Sequence, residues 1–291
     1  MKFAIFGNPG GWHFEQLSGA AHAKGHDTAD FDLREATVNL NHGETPEYFC
    51  GSHSVRDVDC LLTRAMPVGS LQQIVFRMDW LFNVQHVLSK PVINSAKCIE
   101  AAVDKYLCLE RIREKGVRVP TTSVSQTVEL AMLQFEQLGG DVVVKPIFGS
   151  RGRGLARLSD KSAAMQHFET LVDAGDVIYQ QQFLPHDSDL RLLVIGDEIY
   201  SMSRHKAGHW ITNASQGATC KFHQPTSEET SMAMEAALAV GADIAGVDIV
   251  YENDVPYVLE VNSSPAWRAL GSVVEANIAE RIISFAEKVA S

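Results

Sequence analysis

The feature that most constrains this fold is the alternation of short apolar runs with helical stretches near the amino terminus. Lys2–Phe6 is an apolar run that ends in the glycine-rich turn Gly7–Gly11, and helical spacing follows at residues 12–24. The same kinds of element recur as apolar runs at residues 58–63 and 91–94 around a helical stretch at residues 70–88. Because strands that alternate with helices form parallel sheets, the sequence predicts a small parallel α/β domain that ends near residue 95.

The length and composition indicate a globular protein of several domains. A chain of 291 residues predicts two or three domains, because one domain contains about 100 to 200 residues. Hydrophobic residues make up 45% and charged residues 21%, as in ordinary soluble proteins. The formal net charge of -11 disfavours nucleic acid and anionic membranes as partners. Any anionic ligand must therefore meet a local positive pocket.

The cysteines, histidines and amino terminus exclude several classes of protein. The five cysteines are scattered without a Cys-x-x-Cys pair, so we expect neither a disulfide framework nor a zinc site. His205 and His209 are four residues apart, but Gly208 argues against the helix of a zinc protease motif. No secretory signal and no run of ~18 apolar residues is present. We therefore expect a cytoplasmic protein.

The rest of the chain predicts a second domain. Residues 96–115 have helical spacing, and the segment Gly116–Pro120 ends that helix. Strands are expected at residues 141–146, 154–158, 177–183 and 190–195, and a helix is expected at residues 228–240.

Two glycine-rich segments are candidates for contact with a ligand. The turn Gly7–Gly11 lacks the Gly-x-Gly-x-x-Gly spacing of dinucleotide sites, so a tight structural turn is the alternative. The segment Phe148–Gly154 follows an expected strand at residues 142–145 and contains two arginines. Glycines let backbone N–H groups approach phosphate oxygens, and arginines add positive charge. This pattern favours a mobile phosphate lid over a structural hairpin.

The segment Gly246–Asn262 predicts a hairpin that carries a metal site. If residues 253–255 form a three-residue loop, Asp248 lies opposite Glu260, and strand alternation puts Asn262 on the same face. The other, apolar face would contain Val247, Ile249, Tyr251, Tyr257, Leu259 and Val261. Two opposed carboxylates repel each other unless a cation lies between them. Oxygen ligands suit Mg²⁺ or Mn²⁺, and the alternative is a solvated acidic face.

Seven motifs follow one another along the chain. They are Asn94-Ser95 with Asp104-Lys105, Val144-Lys145-Pro146, the loop Gly149–Gly154, Tyr179–Leu184, Asp189-Leu190-Arg191, the pair Arg204 and Asn213, and the set Asp248, Glu260 and Asn262. In this order they resemble the ATP-grasp superfamily, and within it the RimK-like amino-acid ligases, over nearly the whole chain. The resemblance implies an ATP-grasp fold that combines α/β and α+β parts. It implies an amino-terminal Rossmann-like domain over residues 1–95, a central lid domain over 96–183 and a metal-bearing domain over 184–291.

The resemblance also implies roles for individual residues. The residues implied to bind ATP are Lys105, Lys145, Gly149, Ser150, Arg151, Gly152, Gln181, Gln182, Phe183, Leu184 and Asp189. The residues implied to hold two Mg²⁺ or Mn²⁺ ions are Asp248, Glu260 and Asn262, and those implied to be catalytic are Arg204 and Asn213. Gln182 stands where the family has a carboxylate, although an amide oxygen could accept the same hydrogen bond. For the two lysines, the alternative is a surface charge.

The implied reaction has two steps. A carboxylate attacks the γ-phosphate of ATP to give an acylphosphate, and an amine then attacks the acyl carbon. Lys105, Lys145 and the metal ions would neutralise the phosphates through position and charge. Arg204 would face the acylphosphate or the oxyanion that follows, and Asn213 would lie near the phosphates and the metal.

Four arginines are candidates for binding the substrate. Arg64, Arg77 and Arg268 could clamp an anionic substrate such as L-glutamate, and a salt bridge within the fold is the alternative for each. Arg191 could pair with Asp189 or bind substrate. Residues 63–81 also resemble RimK-like ligases of tetrahydromethanopterin-type pathways. A pterin or furan cofactor precursor is therefore a candidate acceptor, beside other small molecules and peptides.

Two other functions stay open at this point. A dipeptide ligase resembling D-alanine–D-alanine ligase would use neutral amino acids and have little need of Arg64, Arg77 or Arg268. A nucleotide-binding regulatory protein would keep the fold without turnover, although the complete metal set argues against it. The family resemblance further implies a dimer or tetramer, whereas nucleic acid and membrane are not expected as partners.

Overall fold

The structure is a computed structural model that describes residues 1–149, 154–211 and 217–291. These residues form helices and four sheets of four, four, five and three strands, which confirms the predicted mixture of α and β elements. None of the described helices has the length and apolar character needed to cross a membrane.

The amino-terminal part contains a parallel sheet. Its elements are β1 (Lys2–Phe6), α1 (Trp12–Ala23), β2 (Asp27–Phe31), β3 (Ala36–Asn39), β4 (Glu47–Cys50), β5 (His53–Ser54), β6 (Cys60–Thr63), α2 (Leu71–Val87) and β7 (Val92–Ile93). Strands β2-β1-β6-β7 pair in parallel in that order, which confirms the predicted parallel sheet, although β2 was not predicted. The three antiparallel strands β3, β4 and β5 were not predicted. The turn after β1 is tight, because the N–H of Gly11 donates to the carbonyl of Asn8 at 2.8 Å.

The central part contains an antiparallel sheet. Its elements are α3 (Ala96–Val103), α4 (Lys105–Glu114), β8 (Thr122–Ser125), α5 (Val128–Gln137), β9 (Val142–Lys145), β10 (Ala156–Leu158), α6 (Lys161–Asp173) and β11 (Ile178–Gln182). The strand order is β10-β9-β11-β8. The single helix predicted over residues 96–115 is wrong, because the backbone of Asp104 is extended and its carboxylate caps α4 by accepting from the N–H of Leu107. Lys105 is therefore the first residue of a helix.

The carboxy-terminal part contains the largest sheet. Its elements are β12 (Ser188–Ile195), β13 (Glu198–His205), β14 (Thr219–Phe222), α7 (Ser227–Val240), β15 (Ile244–Glu252), β16 (Val255–Asn262) and α8 (Ile278–Ala290). The antiparallel order is β14-β13-β12-β15-β16. Helix α7 begins with a capping box between Thr226 and Glu229, and it covers the helix predicted at residues 228–240.

The hydrophobic cores connect distant parts of the chain. Helix α8 packs its buried residues Ile282 and Ile283 into the same core as Phe3 and Ile5 of β1. Helices α3 and α4 share a core with α7 and the five-stranded sheet. The amino terminus and carboxyl terminus thus stabilise one another. The domain boundaries at residues 95 and 183 stay predictions.

The hairpin of β15 and β16 reaches its predicted register in an unexpected way. Asn253 and Asp254 form a two-residue turn with φ of 49° and 64°, so the three-residue loop was wrong. A bulge then adds one residue to β16, because Asp248 pairs with Glu260 whereas the next residue pairs with Val258. The turn is one residue shorter than predicted and the bulge adds one residue, so Asp248 still lies opposite Glu260 as predicted. The bulge also corrects the apolar face, whose buried residues are Val247, Ile249, Val258 and Val261 and do not include Tyr257 or Leu259.

Candidate active site

Lys105 and Lys145 approach each other from α4 and the end of β9. The Nζ of Lys105 donates to the carbonyl of Gly149 at 2.9 Å. The Nζ of Lys145 donates to Oε1 of Gln181 at 2.6 Å, and Gln181 donates in turn to the hydroxyl of Thr122 at 3.0 Å. Among the described residues, both ammonium groups therefore donate to neutral oxygens.

Both lysines are cations in a partly desolvated place. The pKa of Lys145 is lowered to about 8, mainly by burial and also by the charge of Lys105, against the opposing carboxylates of Glu260 and Asp248. Burial also lowers the pKa of Lys105, again against Glu260. A cation loses stability when it leaves water without an anionic partner. The pair is thus suited to bind a polyanion, such as a chain of phosphates.

A pocket joins Lys105 to two of the predicted metal ligands. It has an empty volume of about 330 Å³, and its walls include Lys105, Gly149, Glu260 and Asn262. Residues predicted to bind ATP and residues predicted to bind metal therefore line one space.

Beside this pocket, four charged side chains form a buried network on the five-stranded sheet. The cross-strand register places Asp189 opposite Arg204 and Arg191 opposite Asp248. Arg204 donates through Nε and Nη2 to the two oxygens of Asp189 at 2.6 Å each, and its Nη2 lies 3.0 Å from Asp248. Arg191 donates to both oxygens of Asp248, with 2.8 Å between Nη2 and Oδ2. All four side chains are buried.

This network keeps Asp248 and Arg204 charged. Burial alone would raise the pKa of Asp248, but Arg191 and Arg204 hold it below the usual value. Burial alone would lower the pKa of Arg204, but Asp248 and Asp189 raise it. The sequence left open a structural pair between Arg191 and Asp189. In the network, Arg191 pairs with Asp248 and not with Asp189.

The predicted metal ligands lie together at the end of the hairpin. Asp248 and Glu260 oppose each other, and the side-chain amide of Asn262 lies 3.0 Å from Oε1 of Glu260. The described residues contain no cluster of three or more His, Cys, Asp or Glu, because the third predicted ligand is an amide. Asp248 would have to share its carboxylate between a metal and two arginines. The metal site stays a prediction.

The segment predicted to hold the adenine ends β11. Gln181 faces Lys145, whereas Gln180 points the other way and donates to a carbonyl of α5 at 2.8 Å. Strand alternation puts Gln182 on the side of Gln180. The ring of Phe183 lies 3.6 Å from the guanidinium carbon of Arg157. The carbonyl of Leu184 accepts from His186 at 2.6 Å. Adenine binding by residues 182–184 stays a prediction.

Some predicted site residues lie outside the part of the chain that the structure describes. They are Ser150, Arg151, Gly152 and Asn213.

The candidate substrate arginines fall into two groups. Arg77 is buried in α2 and donates to the carbonyl of Pro67 at 2.8 Å, as an arginine with a structural role would. Arg64 and Arg268 lie near His13, since both lower the pKa of its ring. The sequence reasoning missed His13, although its place two residues after the Gly7–Gly11 turn was a signal.

Comparison with known proteins identifies the family. Residues 102–286, more than half of the chain, match the RimK-like ATP-grasp domain. The chain belongs to the RimK-like ATP-grasp family. A relative from Methanococcus maripaludis, a tetrahydromethanopterin:alpha-L-glutamate ligase, is 31% identical over 80% of each chain. A probable alpha-L-glutamate ligase from Nitrosococcus oceani is 26% identical over 100% of this chain and 97% of that one.

Solved structures show the same fold. The ATP-grasp ligase PsnB, in complex with precursor peptide PsnA2 and AMPPNP, has a TM-score of 0.76 at 18% identity, over 99% of this chain and 97% of PsnB. A RimK domain protein from Sphaerobacter thermophilus has a TM-score of 0.73 at 19% identity, over 99% of this chain and 100% of that one. The ATP-grasp fold and the RimK-like family predicted from sequence are thereby confirmed.

Proposed function

We propose that this RimK-like protein is an ATP-dependent ligase that joins L-glutamate to the carboxylate of an acceptor. The observation that carries the proposal is the lysine pair, whose described hydrogen-bond partners are neutral, together with the pocket that Lys105 lines with Glu260 and Asn262. Such a pair supports the binding of ATP phosphates. The names of the relatives, which are alpha-L-glutamate ligases, support glutamate as the amine substrate.

The reaction balances without a redox partner. The acceptor carboxylate attacks the γ-phosphorus, the bond to ADP breaks, and an acylphosphate forms. The amine of glutamate then attacks the acyl carbon, loses a proton and expels phosphate. Lys105 and Lys145 neutralise the charge on the transferred phosphoryl group through their position and their positive charge. Arg204, which Asp189 holds in place, stabilises the oxyanion of the second step.

A divalent metal fits this site in part. Asp248, Glu260 and Asn262 supply oxygen atoms of the kind that Mg²⁺ and Mn²⁺ prefer, and these three residues would hold the ions. A bound ion would screen the negative charge of the phosphates. The arginines on Asp248 keep its carboxylate ionised, as a metal ligand must be.

The acceptor and the location belong to the same proposal. A pterin-type cofactor precursor is the first acceptor to test, because the relative from Methanococcus maripaludis is named for tetrahydromethanopterin. Peptides come next, because PsnB has the same fold and was solved with a peptide. We place the enzyme in the cytoplasm, where all five free cysteines would stay reduced.

The test is ADP release with MgATP and L-glutamate against a panel of pterin derivatives, peptides and neutral amino acids. We expect ADP release that requires both glutamate and one acceptor class. It should be lost in Lys145→Met and kept in Lys161→Met, because Lys161 is a surface lysine with a side chain 63% exposed.

Other outcomes would replace the proposal. Turnover with neutral amino acids alone would indicate a dipeptide ligase. Tight ATP binding without turnover on any acceptor would indicate a regulatory protein.

A further inference from the structure

A group of basic and aromatic side chains lies at the switch point of the parallel sheet. From β1 the chain continues to β2 on one side and later to β6 on the other, so the order reverses between β1 and β6. Open α/β sheets bind ligands beyond the carboxyl ends of the strands at such a point. Arg64 directly follows β6, and His13 lies in the first turn of the helix that follows β1.

The carboxy-terminal part of the chain completes this group. The backbone N–H of Trp267 donates to Nε2 of His13 at 3.2 Å. The guanidinium carbon of Arg64 lies 4.5 Å from the centre of the Trp267 ring. Arg268 lies 5.7 Å from the ring of Trp12, the neighbour of His13. Two guanidinium groups and one imidazole therefore stand together, in a protein with a net charge of -11.

The guanidinium of Arg64 has an N–H group without a hydrogen-bond partner among the described residues. Its Nη2 donates to the carbonyl of Pro265 at 2.7 Å. Its Nε is buried and has no hydrogen-bond partner among the described residues. No carboxylate in the described part of the chain forms an ion pair with it, whereas Arg191 and Arg204 pair with aspartates. A buried N–H without a partner destabilises the protein, and a bound anion would remove that cost.

The ring of His13 is neutral and can donate a hydrogen bond. Burial and the charges of Arg64 and Arg268 lower its pKa to about 4. Because Nε2 accepts from the backbone of Trp267, the ring proton belongs on Nδ1. The histidine thus adds a hydrogen-bond donor without adding a third positive charge.

The group also lies close to the predicted reaction centre. Pro265, which Arg64 holds, is three residues beyond Asn262. A Cβ atom on Gly246 would lie 2.9 Å from Pro265 and 2.5 Å from Nη1 of Arg191. Arg191 donates directly to Asp248. One chain of contacts therefore runs from the Arg64 guanidinium to the buried network of the site.

We propose that Arg64, with His13 and Arg268 beside it, binds a carboxylate of the amino acid whose amine attacks the acylphosphate. This subsite rests on the proposed ligase function and gives it a preference for amino acids that present the bound carboxylate over those that present an amide in its place. A substrate that presents an amide in place of the carboxylate would leave the guanidinium without its anion. The subsite is distinct from the lysine pair, which faces the phosphates.

The experiment compares Arg64→Gln with the wild type on three amino acids: L-glutamate, L-glutamine and the α-amide of L-glutamate. For the wild type we expect one of the two amides to react poorly, which identifies the carboxylate that Arg64 binds. In Arg64→Gln the KM for L-glutamate should rise about 10- to 100-fold. The preference for glutamate over that amide should fall towards one, while the KM for ATP stays within about twofold. Arg34→Gln, a change at a surface arginine with a side chain 68% exposed, is the matched control.

Each remaining outcome is decisive. An equal rise in KM for all three amino acids would show that Arg64 is only structural and would overturn the subsite. If Arg64→Gln does not fold, the exposed Arg268→Gln should show a smaller change in the same preference, and no change would overturn the subsite. If the wild type releases no ADP with any acceptor, the ligase proposal fails. Calorimetric binding of L-glutamate, present in the wild type and weakened in Arg64→Gln, then tests the subsite by itself, and absence of binding overturns it.

Discussion

The two charged regions of the candidate site differ in how their charges are paired. On the five-stranded sheet, Arg204 and Arg191 donate to carboxylates of the protein itself. Lys105 and Lys145 donate to neutral oxygens, and burial lowers the pKa of both. The charges of the first region are paired within the protein, whereas the ammonium groups of the second have no anionic hydrogen-bond partner among the described residues.

This difference separates stability from binding. Removing a member of a paired buried network leaves a charge without compensation, which destabilises the fold. Removing a buried cation that lacks an anion costs the fold little, but it removes the interaction with an incoming phosphate. The substitutions below test whether the two regions are separable in this way.

The largest effect should come from the network. We expect Arg204→Met to lower the free energy of unfolding by about 3–5 kcal/mol, because it removes two hydrogen bonds to Asp189 and a contact with Asp248. Urea denaturation measures the change. Arg113→Met, which removes an exposed pair with Glu110, should change the free energy of unfolding far less, because water screens the charges of an exposed pair. Similar losses for the two variants would mean that the buried network does not stabilise the fold.

The lysine pair should behave in the opposite way. Lys145→Met removes one hydrogen bond to Gln181, so the free energy of unfolding should change by only about 1 kcal/mol. The value of kcat/KM for ATP should nevertheless fall about 10²- to 10³-fold, because a positioned charge on the phosphates is lost. Steady-state ADP release and urea denaturation on the same sample measure both quantities. A variant that loses stability and keeps activity would invert the comparison.

The contact between the buried network and the group around Arg64 is tested at Gly246. An added methyl group would lie 2.5 Å from the Arg191 guanidinium and 2.9 Å from Pro265, so something must move. We expect Gly246→Ala to destabilise the protein by about 1–3 kcal/mol and to lower activity as well. Gly19→Ala in α1 is the control, since a Cβ atom there meets no atom within 4 Å. That variant should be neutral or slightly more stable.

The smallest effect should be a pH dependence of nucleotide binding. Below about pH 8 Lys145 is charged and attracts phosphate, and above it the free protein increasingly has a neutral lysine. Phosphate favours the protonated form, so affinity for MgADP should fall as pH rises, by about tenfold between pH 7 and pH 9. Calorimetry across this range measures it. Lys145→Arg should flatten the profile, and an unchanged profile would contradict the assignment of the titrating group.

The sequence predicted local features better than contacts between distant segments. The parallel sheet, apart from β2, and α7 followed from the periodicity of the apolar residues. The opposition of Asp248 and Glu260 was also predicted, but only because an unforeseen bulge compensated for an overestimated turn. The break at Asp104 was missed because residues 96–115 have continuous helical spacing, and only the capping role of the aspartate interrupts it.

Contacts between distant elements were beyond sequence reasoning. The pairing of Arg191 with Asp248 depends on β12 lying beside β15, which strand patterns do not specify. The hydrogen bond between Trp267 and His13 joins residues 254 positions apart. Motif order identified the lysines and the hairpin carboxylates, because each motif is local. The basic group around Arg64 exists only after the two ends of the chain pack together.

The most direct test of the ligase chemistry follows oxygen from the acceptor to phosphate. The acceptor found in the ADP-release panel is labelled with ¹⁸O in its carboxylate, and the inorganic phosphate released with MgATP and L-glutamate is analysed by mass spectrometry. We expect one ¹⁸O atom in each phosphate, because the carboxylate oxygen that attacks the γ-phosphorus leaves with it. Phosphate without ¹⁸O would show that water is the nucleophile, and it would contradict an acylphosphate ligase.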